Sequence, residues 1–160
     1  MIRKIYMLND FLKEKFNEKI YKVSLDGGFT CPNRDGKVSR GGCIFCSENG
    51  SGEFTATKLK SIHEQIEEQI DLVSKKYKGD KYIAYFQNFT NTYAEVSYLR
   101  KIYQEALSHE KIVGLAIATR PDCLGDDVLE LLAELNKKTF LWIELGLQTV
   151  NDDVAKYFNR

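Results

Sequence analysis

The sequence predicts an α/β fold, a parallel sheet of about four strands joined by helical crossovers, and three observations carry that expectation. From Ser61 onward, strand-like and helix-like segments alternate, the cadence of strands that run the same way and return through helices. The last strand has two unlike faces: Leu141, Ile143, Leu145 and Leu147 share one, and Trp142, Glu144, Gly146 and Gln148 the other. At 160 residues with 43% apolar content, the chain is one domain's worth of material with enough hydrophobic surface for a core.

In order along the chain, Met7 to Phe16 reads as a short amphipathic helix, and Ile20 to Leu25 as a strand ended by Asp26, Gly27 and Gly28. A glycine-rich loop runs from about Asp26 to Thr57 and carries Gly36, Gly41, Gly42, Gly50 and Gly52. That is long for a compact domain unless the loop binds something. Ser61 then caps a helix, with Glu64 as its capping-box partner and Ile62, Ile66, Ile70 and Val73 as its apolar stripe. Lys81 to Gln87 is a strand, Val96 to Ser108 a helix, Ile112 to Ala118 a strand, Asp126 to Asn136 a helix and Thr139 to Gly146 a strand. Asn151 opens a last helix. In the third strand, Val113, Leu115 and Ile117 alternate with Gly114, Ala116 and Ala118, so the side facing away from the helices is nearly bare up to Arg120 and leaves room for a ligand. Polar groups at the carboxyl ends of parallel strands are where such folds place their sites.

Acidic and basic residues balance at 23 each, which gives no general attraction to polyanions or to a membrane surface. Lysines gather near the amino terminus (Lys4, Lys13, Lys15, Lys19, Lys22) and at Lys75, Lys76 and Lys78, but acidic residues interrupt both groups. They read as solvated faces, and nothing else in the sequence supports a nucleic-acid partner. No run reaches the roughly 18 apolar residues of a membrane helix, and the charged amino terminus is no signal peptide. The expected location is cytoplasmic. Four cysteines in a reducing compartment point to metal or catalysis rather than to disulfides.

Three of the four, Cys31, Cys43 and Cys46, sit in the glycine-rich loop, and Phe45 precedes the last. Three thiolates can hold three corners of a [4Fe–4S] cube, and the fourth iron then takes a ligand from outside the protein. The alternative is a non-catalytic metal-binding module, holding either a simple electron-transfer cluster or structural zinc, which needs a fourth protein ligand, Cys123 or His63. A thioredoxin-like redox pair fits less well, because Cys43 and Cys46 open no helix. Cys123 otherwise reads as a packed thiol, and His63 and His109 as solvent-facing residues on helices.

The run from Lys22 to Cys46, KVSLDGGFTCPNRDGKVSRGGCIFC, resembles the cluster loop of radical S-adenosylmethionine (SAM) proteins, and most closely the YhcC-like bacterial subgroup. That subgroup is related to the elongator catalytic subunit and to oxygen-independent coproporphyrinogen oxidase. The segments Ala84 to Tyr93, Ala118 to Leu124 and Glu144 to Gln148 extend the likeness over essentially the whole chain. In the commonest superfamily pattern the first two cysteines are three residues apart; here eleven residues separate Cys31 from Cys43, the subgroup's own spacing.

The resemblance implies a partial TIM-type (β/α) barrel in which Cys31, Cys43 and Cys46 ligate three irons and SAM chelates the fourth through its amino and carboxylate groups. Phe45 would lie near the adenine. The segment Asn88 to Asn91, with Asn88, Thr90 and Asn91 as its polar members, would stand where relatives hold the methionyl amino group with glycines that are missing here. Glu144 or Gln148 would bond the ribose hydroxyls, although Gln148 also suits a helix cap. Arg160 follows Gln148 at the spacing of an arginine that binds the SAM carboxylate in a related enzyme. Thr119, Arg120 and Asp122 either line the site or form the turn before a helix. The implied reaction is reductive cleavage of SAM to methionine and a 5′-deoxyadenosyl radical, with an electron donor such as flavodoxin or ferredoxin and hydrogen abstraction from a substrate the sequence does not name. Radical SAM barrels typically have six strand–helix units, so residues 1–160 are expected to be the N-terminal part of a longer core domain. The fourth strand would then be an open edge inviting self-association.

Overall fold

The computed structural model describes residues 5–48, 50 and 59–160; Lys4, Gly52 and the loop's expected end near Thr57 lie outside them. Four parallel strands, β1 (Tyr21–Leu25), β2 (Tyr82–Phe86), β3 (Ile112–Thr119) and β4 (Phe140–Leu145), stand in the order β1-β2-β3-β4. The crossovers carry α2 (Ile62–Ser74), α3 (Val96–Leu107) and α4 (Asp126–Asn136), while α1 (Leu8–Phe16) precedes β1 and α5 (Asp152–Tyr157) follows β4. The α/β expectation holds, and element ends fall within a residue or two of their expected places.

Local chemistry explains the element boundaries. Ser61 and Glu64 form the expected capping box, with the Glu64 amide donating to Ser61 Oγ at 3.2 Å and the Ser61 amide donating to Glu64 Oε2 at 2.9 Å. Asn151 Oδ1 accepts from the Asp153 and Val154 amides and starts α5. Asn17, with φ 57°, ends α1 in the left-handed conformation that asparagine tolerates.

The main core lies between the sheet and α2, α3 and α4. Val23, Leu25, Ala84, Phe86, Leu115 and Ile117 meet Ile66, Leu99, Tyr103, Leu131 and Leu135 there, and Leu141 and Ile143 pack against the group. The helices thus cover the Leu141 and Ile143 part of the leucine face of β4, while Leu145 and Leu147 beyond it are exposed. On the other face, α1 closes the amino-terminal end: Leu12, Phe11 and Phe16 pack with Ile20, Ile83, Ala116, Phe140 and Trp142. The bare side of β3 is therefore filled at its lower end and open only near Ala118.

One expectation fails in β3. Val113 does not share the face of Leu115 and Ile117; it packs with Phe140 and Trp142 on the opposite side. The register supplies the cause, since Tyr82 pairs with Ile112 and Ile83 with Gly114, which leaves Val113 as an extra residue in a bulge. Strict alternation resumes only after it. Gly114 then sits so close to β4 that a Cβ would lie 2.6 Å from the Phe140 carbonyl oxygen.

Candidate functional site

The carboxyl ends of the four strands converge on a cavity of about 310 Å³, lined by Cys31, Cys43 and Cys46 together with Phe45, Thr90, Glu144, Gln148 and Arg160. Arg34, Phe89, Ala118, Thr119 and Arg120 complete its wall. Strand-like pairing continues past the strand ends to build it: the Thr90 amide donates to the Thr30 carbonyl, Asn91 to Ala118 and Gly146 to Thr119. The cysteine-bearing loop is thereby stitched to β2, and β2 to β3.

The loop folds through short turns. The Cys31 carbonyl accepts the Arg34 and Asp35 amides, the Asn33 carbonyl accepts Gly42, and the Cys43 carbonyl accepts Cys46 at 2.9 Å. Gly42 has φ 81°, and a Cβ there would meet Arg34 Nε at 2.9 Å, so the turn before Cys43 requires glycine. Arg34 holds the far side by donating to the Ser47 carbonyl and, at 3.2 Å, to the Glu48 carbonyl, with its guanidinium 5.1 Å from the Phe89 ring. Phe89 itself has φ 61°. A bulky residue in the left-handed region costs roughly 1–2 kcal/mol, and here it reverses the chain at the cavity wall.

The carboxyl-terminal segment closes the opposite side. The Ile44 amide donates to the Phe158 carbonyl at 3.1 Å, and Phe45 meets Phe158 edge-to-face at 5.5 Å between centroids. Asn159 Nδ2 donates to the Arg40 and Gly42 carbonyls. The Arg160 guanidinium donates to the Gly146 carbonyl. Gln148, with φ 70°, lines the cavity from the turn between β4 and α5.

Glu144 reaches the cavity from β4 but already has two partners: Lys22 of β1 forms an ion pair with Oε1, and Tyr85 of β2 donates to Oε2 at 2.6 Å. Burial pushes its carboxyl up, yet the hydrogen bonds from Lys22 and Tyr85 and the lysine charge outweigh burial and hold it below the usual range. A carboxylate has about four acceptor positions, so capacity for a ligand hydroxyl remains. Burial and the bond to Glu144 raise the Tyr85 phenol, which stays protonated. Among the segment Asn88 to Asn91, Thr90 lines the cavity, whereas Asn88 donates to Asp26 Oδ2 and Asn91 to the Ala118 carbonyl, where they brace the turn beneath it.

Three thiols from one loop would leave one iron of a [4Fe–4S] cube open, whereas structural zinc needs a fourth protein ligand. Tetrahedral zinc would draw thiolates to about 3.8 Å of one another, given Zn–S bonds of about 2.3 Å. Among the described residues, the group of three or more ligand atoms that lies within 4.8 Å of one another is His63, Glu67 and His109, not the cysteines. Cys123 lines a different cavity of about 600 Å³, with Lys37, Tyr93 and Asp122, and its thiol is pushed up to about 11, chiefly by burial.

His63 is exposed as expected, but His109 is not on a helix and is buried. The Lys111 amide donates to its Nδ1, which leaves the proton on Nε2, 2.9 Å from Glu67 Oε1. That tautomer offers no lone pair to a metal, so the group is a hydrogen-bonded strut between α2 and the end of α3. Asn33, Arg34 and Phe89 escaped the sequence reading, since polar or aromatic residues in a loop carry no periodic signal.

Comparison with known proteins agrees with this architecture. The Radical SAM superfamily profile matches residues 31–160. YtqA of Bacillus subtilis (strain 168) is 51% identical over 158 residues, covering 99% of this chain and 49% of YtqA. YhcC of Escherichia coli (strain K12) is 44% identical over 157 residues, covering 98% of this chain and 50% of YhcC. The chain thus spans about half the length of these curated relatives. Among solved structures, Methanocaldococcus infernus Elp3 lacking residues 1–46 shares the fold with a TM-score of 0.52 at 16% identity, over 86% of this chain and 30% of that one. With its four parallel strands, helical crossovers and three-cysteine loop, the chain belongs to the radical SAM superfamily.

Proposed function

We propose that the chain binds a [4Fe–4S] cluster through Cys31, Cys43 and Cys46 and SAM at the remaining iron, as the N-terminal part of a longer radical SAM core domain. The observation that supports this most is the gathering of the three thiols with Phe45, Thr90, Glu144, Gln148 and Arg160 around one cavity at the strand ends. When bound, the reduced cluster supplies an electron that cleaves SAM to methionine and a 5′-deoxyadenosyl radical, the species that takes hydrogen from substrate. The protein's own part is to bind, orient and shield. Phe45 offers a ring face to the adenine. Glu144, fixed by Lys22 and Tyr85, accepts from the ribose hydroxyls, or Gln148 meets them; Arg160 presents a guanidinium to the SAM carboxylate. Thr90 offers a hydroxyl near the methionyl amino group, with Asn88 and Asn91 holding its turn in place.

The electron comes from a donor such as flavodoxin or ferredoxin. Among the described residues no helix is long and apolar enough to cross a membrane. The β4 edge, with Leu145 and Leu147 exposed, is the surface through which further strands, or a second copy, would add to the sheet.

The decisive experiment is anaerobic reconstitution with iron and sulfide, followed by EPR of the reduced chain with and without SAM. A [4Fe–4S] signal that changes when SAM is added supports the proposal. Failure to form a cluster, with stoichiometric zinc bound instead and lost on Cys123→Ala, would assign a structural metal site.

A further inference from the structure

Two buried polar side chains lie beside the cysteines, and the proposed function gives them no task. Asn33 is fully buried and Arg120 is 6% exposed. A buried guanidinium is costly unless its donors are used, and each of Arg120's three nitrogens has a partner. Its Nε and Nη2 donate to Asp122 Oδ1 at 2.8 Å and Oδ2 at 2.6 Å. The third nitrogen, Nη1, donates to Asn33 Oδ1 and lies 3.9 Å from Cys31 Sγ.

The Asn33 amide orientation is fixed by its neighbours. A guanidinium only donates and a backbone carbonyl only accepts, so Oδ1 faces Arg120 while Nδ2 donates to the Asn159 carbonyl. Nδ2 is thereby also turned toward Cys43 Sγ, 3.7 Å away. One continuous set of donors thus reaches two of the three thiols. Asp122 grips the guanidinium from outside with two bonds, which aims the remaining N–H groups inward.

We propose that Asn33 and Arg120 are positioning residues that donate hydrogen bonds to the Cys43 and Cys31 thiolates and thereby raise the reduction potential of the cluster those thiols hold. The inference rests on the proposed function. Reduction adds one negative charge to a cluster already surrounded by thiolates. A fixed cation and an amide N–H pointed at the sulfurs stabilise the more negative state more than the oxidised one, and hydrogen bonding to sulfur is a recognised control of such potentials. Arg120 keeps its charge at every relevant pH.

The test is an EPR-monitored redox titration of the reconstituted chain without SAM, on the wild type, Arg120→Gln, Arg120→Lys and Asn33→Asp, with iron and sulfide counted for each and folding checked by circular dichroism. Arg120→Gln and Asn33→Asp are expected to move the midpoint to more negative potential at full iron content, with Arg120→Lys closer to wild type because the charge survives. Where Asn33→Asp holds no cluster, the comparison of Arg120→Gln with Arg120→Lys decides. Unchanged midpoints at full iron content overturn the proposal. So does a loss of SAM affinity in Arg120→Gln without a change in potential, which would make Arg120 a SAM ligand. Folded Arg120→Gln and Arg120→Lys proteins that both hold no iron would assign a structural role and also overturn it. A wild-type chain that forms no cluster defeats the underlying reading instead, before any variant is compared.

Discussion

Replacing Gln65 with leucine should cost the chain about 3 kcal/mol although nothing near Gln65 touches the cavity. Gln65 lies on α2 and is 1% exposed. Its Oε1 accepts the Asp26 amide at 2.8 Å, and its Nε2 donates to the Asp26 carbonyl at 3.0 Å and the Lys60 carbonyl at 3.1 Å. The side-chain amide acts as a one-residue strand partner at the point where β1 releases the chain into the cysteine loop. Leucine fills a similar volume but makes none of the three bonds, each worth about 1 kcal/mol net. Asp26 is half-buried, so water recovers part of the loss at its amide and carbonyl, while residual desolvation adds back a similar amount. For a chain of this size the effect corresponds to a Tm lower by roughly 6–12 °C. Urea unfolding of the metal-free, reduced protein is the assay, with a lower midpoint at unchanged m-value expected. A loss smaller than about 1 kcal/mol would refute the idea that Gln65 pins the junction.

Gly114→Ala places a Cβ 2.6 Å from the Phe140 carbonyl oxygen and should destabilise by about 1–3 kcal/mol in the same assay; a neutral result would mean that β3 and β4 can separate there. Cys123→Ala should bind as much iron as wild type after reconstitution, because Cys123 faces the second cavity. In the parent protein, with the thiol pushed up to about 11, alkylation of Cys123 at pH 8 should run at least about tenfold slower than that of free cysteine, as peptide mass spectrometry would reveal. Glu144→Gln tests the Lys22–Glu144–Tyr85 group through pH. The folded carboxyl lies below its unfolded value, so its contribution to stability is present above about pH 4.3 and is lost as pH falls through the folded value. The variant should therefore be less stable than wild type at pH 7, and urea midpoints should converge as the pH is lowered toward 3; a constant gap would contradict the assignment.

What could be read in the sequence was local or periodic. Ser61 and Glu64 announce their helix at a spacing of three, and Asn151 caps α5 from its own side chain; both need only neighbours. The three cysteines stand out by their spacing in a glycine-rich loop, while the family resemblance points to Phe45, Thr90, Glu144, Gln148 and Arg160; all of these line the cavity. Other features depend on partners far along the chain. Val113 changes face because β2 and β3 differ by one residue in register, which neither strand discloses alone. Gln65 sits beside an isoleucine stripe and looks like a solvent residue until Asp26 is brought against it. His109 reads as exposed until α2 delivers Glu67. Asn33 meets Arg120 across 87 positions, a pairing with no trace in spacing or composition.

The lacing of residues 158–160 to the cysteine loop also sets an order of events during synthesis. Cys31, Cys43 and Cys46 leave the ribosome early, yet the carbonyls of Arg40 and Gly42 and the Asn33 amide find their partner in Asn159, and the Ile44 amide finds Phe158. More than a hundred residues must be translated before the loop acquires its final shape. Until residues 158–160 have emerged, the loop that carries the three thiols lacks these partners. The surroundings of the three thiols are thus completed only when α5 docks against the loop, which ties the shape of the site to the folding of a segment more than a hundred residues further along the chain.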